Sequence, residues 1–576
     1  MMPATVSILL AAAFTAGACV AAGKLLLRAL GLRFTRAETY LFAFLTGAAC
    51  WSALVFSLAA AHLARRNVFL AAGALVLLAA LRWGRVPALP PDPSRPRLPL
   101  VWKACFGVIF GAFTVLYFFN ALAPEISPDG STYHLGLVAR YLRERCLARV
   151  TTSLYASLSQ GMEMLFLFAF ALGRHSAAAL VHFAFLLALP GLLWSYAQRI
   201  GQPRAGAVGA LLVYLSPLVG ADGISAYNDV AVACAVFAVF YLLELWDSDP
   251  RPGLLAAAGL LAGFACALKY TAVLAVPYAL GRAGWKLWRE KRPLARPLAV
   301  LSACALLMIA PWAVKNWIWL GNPASPFMNR WFPNPYIHVS FEQEYAQHMR
   351  HYLGLSSPWA IPWEAAVRGE VLHGFLGPVF LLAPLGLLAL RRAEGRRVLL
   401  AGAVFALTYP MNVGARFLIP SLPFVSLAMG LAAGRWLGPA LVLAHGALSW
   451  PPVPGYYCQP FAWRLRDIPV RAALRRIPEE RFLSERQPRF TLARPSSGTC
   501  RPAAECSCSG KRLTHIRHAS WWSLSNPLSA KSSGTSCRRP CGWTSTLCWS
   551  GASPSPRGRC GSCGWSRARP ARASGT

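Results

Sequence analysis

The sequence has little charge, and very little of that charge is negative. Only 14% of its 576 residues are charged, and 22 acidic side chains stand against 57 lysines and arginines. Because proteins average about 25% charged residues, this composition argues against a soluble globular protein. A net charge of +35 would suggest a nucleic-acid partner, but the sequence has no basic stripe with interleaved aromatic residues. We therefore expect no nucleic acid among its partners.

The sequence also lacks the short motifs that hold metals or nucleotides. In the apolar part of the chain the cysteines are scattered singly, without the paired spacing of a metal site. No GxxxxGK[ST] is present, so nucleotide hydrolysis is not indicated. No cofactor is predicted with certainty, and a divalent metal held by carboxylates stays open.

Long apolar blocks are what the sequence has in abundance. Hydrophobic residues make up 56% of the chain and occur in uninterrupted runs. About 20 such residues span a bilayer as a helix, because lipid cannot satisfy exposed backbone polar groups. Counting shorter runs as well, we predict an all-α polytopic membrane helical bundle of about fourteen spans, with short helices in its outer-face loops. Lysines and arginines concentrate in short loops, where they orient the chain and contact membrane lipid.

Two regions interrupt the regular series of spans. Gly161–Gly173 is too short for a comfortable crossing, and we interpret it as a partial or re-entrant helix. Leu254–Leu268 and Tyr270–Leu280 are predicted as two short helices broken around Lys269.

Composition divides the chain into four parts. Residues 1–100 hold N-terminal helices additional to a core at 101–450, and 451–490 is typical of an outer soluble segment. Residues 491–576 are rich in Ser, Arg and Cys, have Glu505 as their only carboxylate side chain and lack helical or strand periodicity. A disulfide-rich module and a basic disordered tail are two interpretations of this tail. We favour a third, out-of-frame translation of a GC-rich gene.

Scarce carboxylates beside apolar blocks are candidates for chemistry, because ionisable groups near a bilayer are costly. The densest set lies in PEISPDGSTYHL, which holds Glu125, Asp129, Tyr133 and His134. Pro and Gly flank Asp129, which predicts a turn, and capping of a helix that begins at Ser131 is the alternative to catalysis. For His134, a structural role is the alternative to ligand binding or proton relay.

Three further ionisable residues adjoin apolar blocks. Asp229 could orient a substrate, hold a divalent ion together with Asp129, or cap the helix that follows it. Glu163 opens a helix, where the helix dipole alone could account for it. Lys269 lies within apolar sequence, so it needs a partner, either a phosphate group or an acidic residue, and an interfacial lysine between two short helices is the alternative.

A later loop combines acidic and histidine side chains at mixed helical spacing: Glu342, Glu344, His348 and His351. A zinc site is one interpretation of this set. We favour a solvated amphipathic helix that gates access of a substrate.

Six segments, in chain order after Val101, carry a resemblance to a known family. They are SPDGSTYHLGLVARYL, QGMEMLFLFAFALG, SAYNDVAVACAVF, GLLAGFACALKYTAVL, APWAVKNWIWLGNPASPF and ARFLIPSLPF, the last of which contains Pro420. In this order the segments resemble the GT-C superfamily of membrane glycosyltransferases, especially the bacterial branch related to protein mannosyltransferases and aminoarabinose transferases. The chain departs from that pattern in two ways. Three extra helices precede the match, and Gly130 follows Asp129 where many relatives have a second acidic residue, which weakens the case for a metal.

The resemblance implies hexosyl or pentosyl transfer from a polyprenyl-phosphate-sugar donor to an acceptor that is a glycan, a lipid or a protein. It assigns Asp129 as the general base, with inversion at the anomeric carbon, and Asp229 as a second catalytic residue. Arg416 is the candidate for phosphate binding, since guanidinium groups match phosphate oxygens, and membrane anchoring is its alternative. The predicted substrate-binding residues are Glu125, Tyr133, His134, Glu163, Lys269 and Arg416. We expect a bacterial inner-membrane protein whose active site faces outside, into the periplasm.

Two other function classes stay open at this point. A secondary transporter is the main alternative, although transporters usually carry internal repeats and none is evident here. A lipid-linked polymer ligase or a structural membrane component is the third class. The glycosyltransferase hypothesis requires Asp129, Asp229 and Arg416 to converge on one outer cavity that opens sideways to lipid.

Overall fold

The computed structural model describes residues 4–486 apart from 91, 338–339, 353, 461 and 463–464. These described residues form helices, turns and loops, without a β-strand. The first twelve helices are α1 Ala4–Ala29, α2 Arg36–Ala60, α3 Arg66–Trp83, α4 Leu100–Leu122, α5 Leu135–Glu144, α6 Gly161–Arg199, α7 Pro203–Tyr214, α8 Pro217–Gly223, α9 Asp229–Ser248, α10 Pro252–Leu268, α11 Ala275–Arg289 and α12 Ala295–Leu320. The later helices are α13 Phe341–His351, α14 Ile361–Trp363, the 3₁₀ helix Pro378–Arg391, α15 Ala393–Ala406, α16 Leu422–Ala432, α17 Leu437–Ser449, α18 Val470–Ala473 and α19 Glu479–Arg486. The atypical tail at 491–576 lies outside the described residues.

Seven of the described helices are long and apolar enough to cross a membrane: α1, α2, α3, α4, α6, α9 and α12. The pair α7 and α8, bent by 68°, would make an eighth span. Four shorter apolar helices have 10–17 residues: α10, Pro378–Arg391, α16 and α17. The predicted all-α polytopic membrane fold is therefore confirmed. The number of about fourteen spans depends on the shorter segments and stays a prediction.

Helix α6 is broken where the sequence predicted a short helix to end. Gly173 and Arg174 leave helical geometry, with φ and ψ of −140° and 15° at the first and 60° and −159° at the second. The hydroxyl of Ser176, just after the break, donates to the carbonyl of Ala123 at 2.9 Å. Residues 161–172 are thus a separate short helix, and whether they re-enter the membrane stays a prediction.

The N-terminal helices pack directly onto the helices that carry the candidate site. A Cβ on Gly23 would lie 1.8 Å from the carbonyl oxygen of Ala43, so α1 and α2 touch backbone to backbone. Small residues allow this close approach between membrane helices. Ser52 of α2 donates to the carbonyl of Gly161 at 2.7 Å, which joins this pair to α6.

Polar residues gather at the two ends of α9. Its first residue, Asp229, lies beside Lys269, which follows α10. Near its other end, Glu244 and Asp247 accept hydrogen bonds from Arg282 of α11. Glu244 lies roughly four turns from Asp229, or about 22 Å at the helical rise of 1.5 Å per residue. The two ends of α9 therefore lie in separate polar regions.

The segment after α17 returns to the end of α4. The Arg475 guanidinium donates to the Ser176 hydroxyl at 2.7 Å and to the carbonyl of Leu122 at 3.2 Å. Glu479 of α19 lies 2.9 Å from the imidazole Nε2 of His175. This segment is thereby fixed at the same end of the bundle as the α6 break, and its outer location stays a prediction.

Candidate active site

Asp129 and Arg416 form an ion pair between the loop after α4 and the 3₁₀ turn Ala415–Leu418. The Asp129 carboxylate also accepts a hydrogen bond from the Tyr133 hydroxyl at 3.2 Å. Its side chain makes no capping hydrogen bond to the π-helical turn that follows. The amide of Ser131 donates instead to the carbonyl of Ser127 at 2.9 Å. The capping interpretation of Asp129 is therefore wrong, because its side chain turns towards Arg416.

Asp229 and Lys269 form a second ion pair, with 2.5 Å between Oδ1 and Nζ. The Asp229 side chain is only 2% exposed. Lys269 has an extended backbone between α10 and the next turn, as the predicted break requires. Asn228 holds that break in place by donating to the carbonyl of Leu268 at 2.9 Å. A buried carboxylate thus has the cationic partner that its burial demands.

Asp229 does not cap its own helix. The amide of Val230 donates instead to the carboxylate of Asp222, at 3.0 Å. Asp222 comes from the short helix α8, so the cap fixes the direction in which α9 begins. The capping interpretation of Asp229 is therefore wrong, and its side chain is left to pair with Lys269.

The two ion pairs meet at the ring of Phe417. Lys269 Nζ lies 4.8 Å from the ring centroid, and Arg416 Cζ lies 5.4 Å from it. Arg416 also lies over the ring of Tyr227, at 5.7 Å. The structure therefore brings Asp129, Arg416, Lys269 and Asp229 into one cluster, and their convergence on an outer cavity stays a prediction. A lateral opening to lipid stays a prediction.

Aromatic rings cover one side of this cluster. Tyr133 stacks on Tyr155 with 3.9 Å between ring centroids and an angle of 4°. Burial raises the pKa of Tyr155 to about 12, with a smaller contribution from the Asp129 carboxylate. Burial likewise raises the pKa of Tyr133 well above its ordinary value. Both phenols stay protonated at neutral pH, so Tyr133 acts as a hydrogen-bond donor to Asp129.

Glu125 joins the two loops that carry the candidate catalytic carboxylates. One of its oxygens accepts from the amide of Ser127 at 2.7 Å, and the other accepts from the amide of Ala226 at 2.7 Å. The first amide lies two residues before Asp129 and the second three residues before Asp229. These contacts indicate that Glu125 positions both loops, and its predicted substrate contact stays a prediction.

His134 and Glu163 form a buried pair, with 2.6 Å between Nδ1 and Oε1. Their side chains are 4% and 5% exposed. The contact ties the Asp129 loop to the start of α6, which is the structural role considered for His134. The second oxygen of Glu163 is buried and has no hydrogen-bond partner among the described residues.

His182 and Asp222 are two polar residues of the site for which the sequence predicts no role. The His182 Nδ1 lies 2.8 Å from the carbonyl of Ser225, and its Nε2 lies 3.7 Å from Asp222 Oδ1. Their side chains are 0% and 2% exposed. Asp222 stands in the polar turn ADGISAYND and could have been found as another scarce carboxylate. His182 lies within an apolar block that gives no such signal.

The long loop before the 3₁₀ helix Pro378–Arg391 contributes a helix at the predicted position. In α13, Glu342 accepts from the side chain of Asn329 at 2.9 Å. The amide of Val413 donates to the carbonyl of Met349 at 3.0 Å, so α13 contacts the segment that leads to Arg416. Within the described part of the chain, no three His, Cys, Asp or Glu side chains are grouped to hold a metal. The zinc hypothesis for this loop therefore has no support from the described residues.

Comparison with known proteins gives a match to a family of membrane glycosyltransferases. The family model for dolichyl-phosphate-mannose-protein mannosyltransferases matches residues 161–319. This range includes Glu163, Asp229 and Lys269, while Asp129 and Arg416 lie outside it. No curated protein and no solved structure matches the chain. The family match confirms the resemblance predicted from the sequence motifs and supports a GT-C superfamily glycosyltransferase.

Proposed function

We propose that this protein transfers a sugar from a polyprenyl-phosphate-linked donor to a hydroxyl of an acceptor at the outer face of the membrane. The observation that carries the proposal is the contact between Asp129 and Arg416 within one cluster that also holds Lys269 and Asp229. It sets a carboxylate that can accept a proton beside a guanidinium that can bind phosphate. The family match supports the same class of donor.

In the proposed reaction, Asp129 accepts the proton of the acceptor hydroxyl as the oxygen forms a bond to the anomeric carbon. The bond from that carbon to the phosphate oxygen breaks, and the leaving phosphate takes the electron pair. Arg416 stabilises the charge that develops on the phosphate. Its Nε is buried without a hydrogen-bond partner among the described residues, which leaves one donor for a phosphate oxygen. A single displacement inverts the configuration at the anomeric carbon.

The other residues of the cluster support these two roles. Lys269 supplies a second positive charge near the phosphate, and Asp229 orients the acceptor while it balances that charge. Tyr133 holds the Asp129 carboxylate by its hydrogen bond. We place Glu125, His134 and Glu163 around this centre as binding residues whose contacts also fix the loops.

We propose a bacterial inner-membrane location with the site facing the periplasm. The support is the distribution of positive charge. Loops at the end of α9 opposite Asp229 carry the basic runs RRAEGRR and WREKR, and basic loops favour the cytoplasmic side. The lipid tail of the donor would then stay in the bilayer while its phosphate reaches the cluster from the outer interface.

The test is sugar transfer in membranes that contain the full chain, with a panel of radiolabelled polyprenyl-phosphate-sugars. We expect Asp129→Asn to abolish transfer. Asp467→Asn is the matched control, because this carboxylate is 51% exposed and belongs to the C-terminal segment. Full activity of Asp129→Asn would reject Asp129 as the base. Movement of label across sealed vesicles without attachment to an acceptor would favour the transporter alternative.

A further inference from the structure

A cavity of about 530 Å³ lies at the other end of α9 from the candidate active site. The loop between α1 and α2, the loop before α4, and the ends of α6, α9 and α10 form its walls. Its volume falls within the range of about 300–1,000 Å³ that is usual for ligand sites. Because it lies about four helical turns from Asp229, it is separate from the proposed chemistry.

The charged lining of this cavity is mainly arginine. Five arginines line it, Arg33, Arg95, Arg199, Arg251 and Arg397, against three carboxylates, Glu244, Asp247 and Asp249. Each of these carboxylates is already paired with a cation. Glu244 accepts from Arg397 at 2.7 Å and from Arg282 at 2.9 Å, and Asp247 accepts from Arg282 at 2.6 Å. Asp249 pairs with Arg251 at 2.7 Å.

Two of the arginines keep donors for a ligand. Arg33 is exposed and has no ion pair among the described residues. Among the described residues Arg95 pairs only with Asp92, at 3.3 Å, and both side chains of that pair are at least 30% exposed. An exposed ion pair of this kind contributes little free energy, so an anionic ligand can replace Asp92 as the partner of Arg95.

Apart from Tyr196, Tyr241 and Ser248, the rest of the lining is apolar. Leu32, Phe34, Leu89, Ile200, Leu245 and Leu254 contribute to it. A free inorganic anion would contact only the arginines. A lipid with an anionic headgroup would contact both the arginines and the apolar residues. Arginine forks match phosphate oxygens, and basic pockets between membrane helices suit phosphate-bearing headgroups.

We propose that this cavity binds the phosphodiester headgroup of an anionic phospholipid in the leaflet opposite the active site. Arg33 and Arg95 donate to the phosphate, and the apolar residues contact the start of the acyl chains. The inference does not depend on the sugar-transfer reaction.

The experiment measures lipid binding to the purified full-length protein in detergent by native mass spectrometry. Phosphatidylglycerol, phosphatidylcholine and inorganic phosphate are titrated separately. The variant Arg33→Gln/Arg95→Gln removes two charges from the cavity, and Arg65→Gln/Arg66→Gln removes two charges beyond the other end of α2. We expect phosphatidylglycerol to bind more tightly than phosphatidylcholine, and the cavity variant alone to weaken it at least fivefold.

Three results would overturn the proposal. Equal weakening in both double variants would show a general effect of surface charge. Full displacement of phosphatidylglycerol by inorganic phosphate at similar concentration would show a site for the free anion. Equal binding of phosphatidylglycerol and phosphatidylcholine would show that the negative charge of the headgroup does not determine binding. If the double variant fails to fold, Arg33→Gln is tested alone, since this exposed residue has no ion pair to lose among the described residues.

Discussion

Arg416 binds the carboxylate of Asp129, although 287 residues separate the two in the sequence. The contact joins the loop after α4 to the turn before α16 at one end of the bundle. It also holds the proposed proton acceptor and the proposed phosphate-binding group in one place.

Replacement of Arg416 by Lys tests the shape of the cation as well as its charge. Lysine keeps the positive charge but loses the planar fork that reaches both a carboxylate and a phosphate. Hydrogen bonds to charged groups are worth about 1.5–3 kcal/mol, so we expect sugar transfer at low donor concentration to fall about tenfold or more. Arg435→Lys is the control, since this residue is exposed. If Arg416→Lys and Arg435→Lys transfer sugar at equal rates, the phosphate-binding role is rejected and Arg416 is a membrane anchor.

Because Asp229 and Lys269 form an ion pair, we expect the effects of replacing them on stability to be strongly non-additive. Lys269→Met leaves a carboxylate that is 2% exposed without its partner, and breaking a buried pair costs about 3–5 kcal/mol. We expect a marked fall in the thermal unfolding midpoint in detergent. Adding Asp229→Asn removes the unpaired charge, so the double variant should recover part of the loss. Lys103→Met, at an exposed position of α4, should change little. Additive losses in the double variant would contradict a direct pairing.

Much of the candidate site could be predicted because its signals are local. In an apolar chain, an isolated charge such as Asp129 or Lys269 is conspicuous, and the cost of burying it indicates a role. The break at Lys269 follows from an interruption of apolar sequence. The pairing of each charge could not be predicted, because partners come from distant loops that only the packed bundle brings together.

The same limit explains the residues that the sequence did not reveal. A histidine within an apolar block is compatible with many structural roles, so His182 gives no local sign of its contact with Asp222. The two amides bound by Glu125 belong to segments about 100 residues apart. The capping interpretations of Asp129 and Asp229 failed for a related reason: local sequence favours a cap, but a distant cation is the stronger partner.

Asp222 should act on the reaction by positioning Asp229. Its carboxylate accepts from the amide of Val230, and a lost cap costs about 0.5–2 kcal/mol. Asp222→Ala should therefore lower the maximal transfer rate, with a smaller change in the donor concentration for half-maximal rate. Asp222→Asn keeps an oxygen that can accept the same hydrogen bond, so it should retain most of the activity. If Asn is as damaging as Ala, the charge of Asp222 matters and the cap does not explain its role.

The C-terminal segment should detach from the bundle in acid. A hydrogen bond from His175 lowers the pKa of Glu479 in the folded protein. Because the folded pKa lies below that of the unfolded chain, about 4.3, the carboxylate stabilises the docked segment above that pH. This stabilisation of the docked segment is lost as the pH falls through the lowered pKa of Glu479. Hydrogen exchange of residues 465–486 should therefore accelerate between about pH 5 and pH 3, and Glu479→Gln should reduce this pH dependence. Glu485→Gln, at a side chain that is 53% exposed, should leave it unchanged. The same acceleration in Glu479→Gln as in the natural sequence would show that another group controls docking.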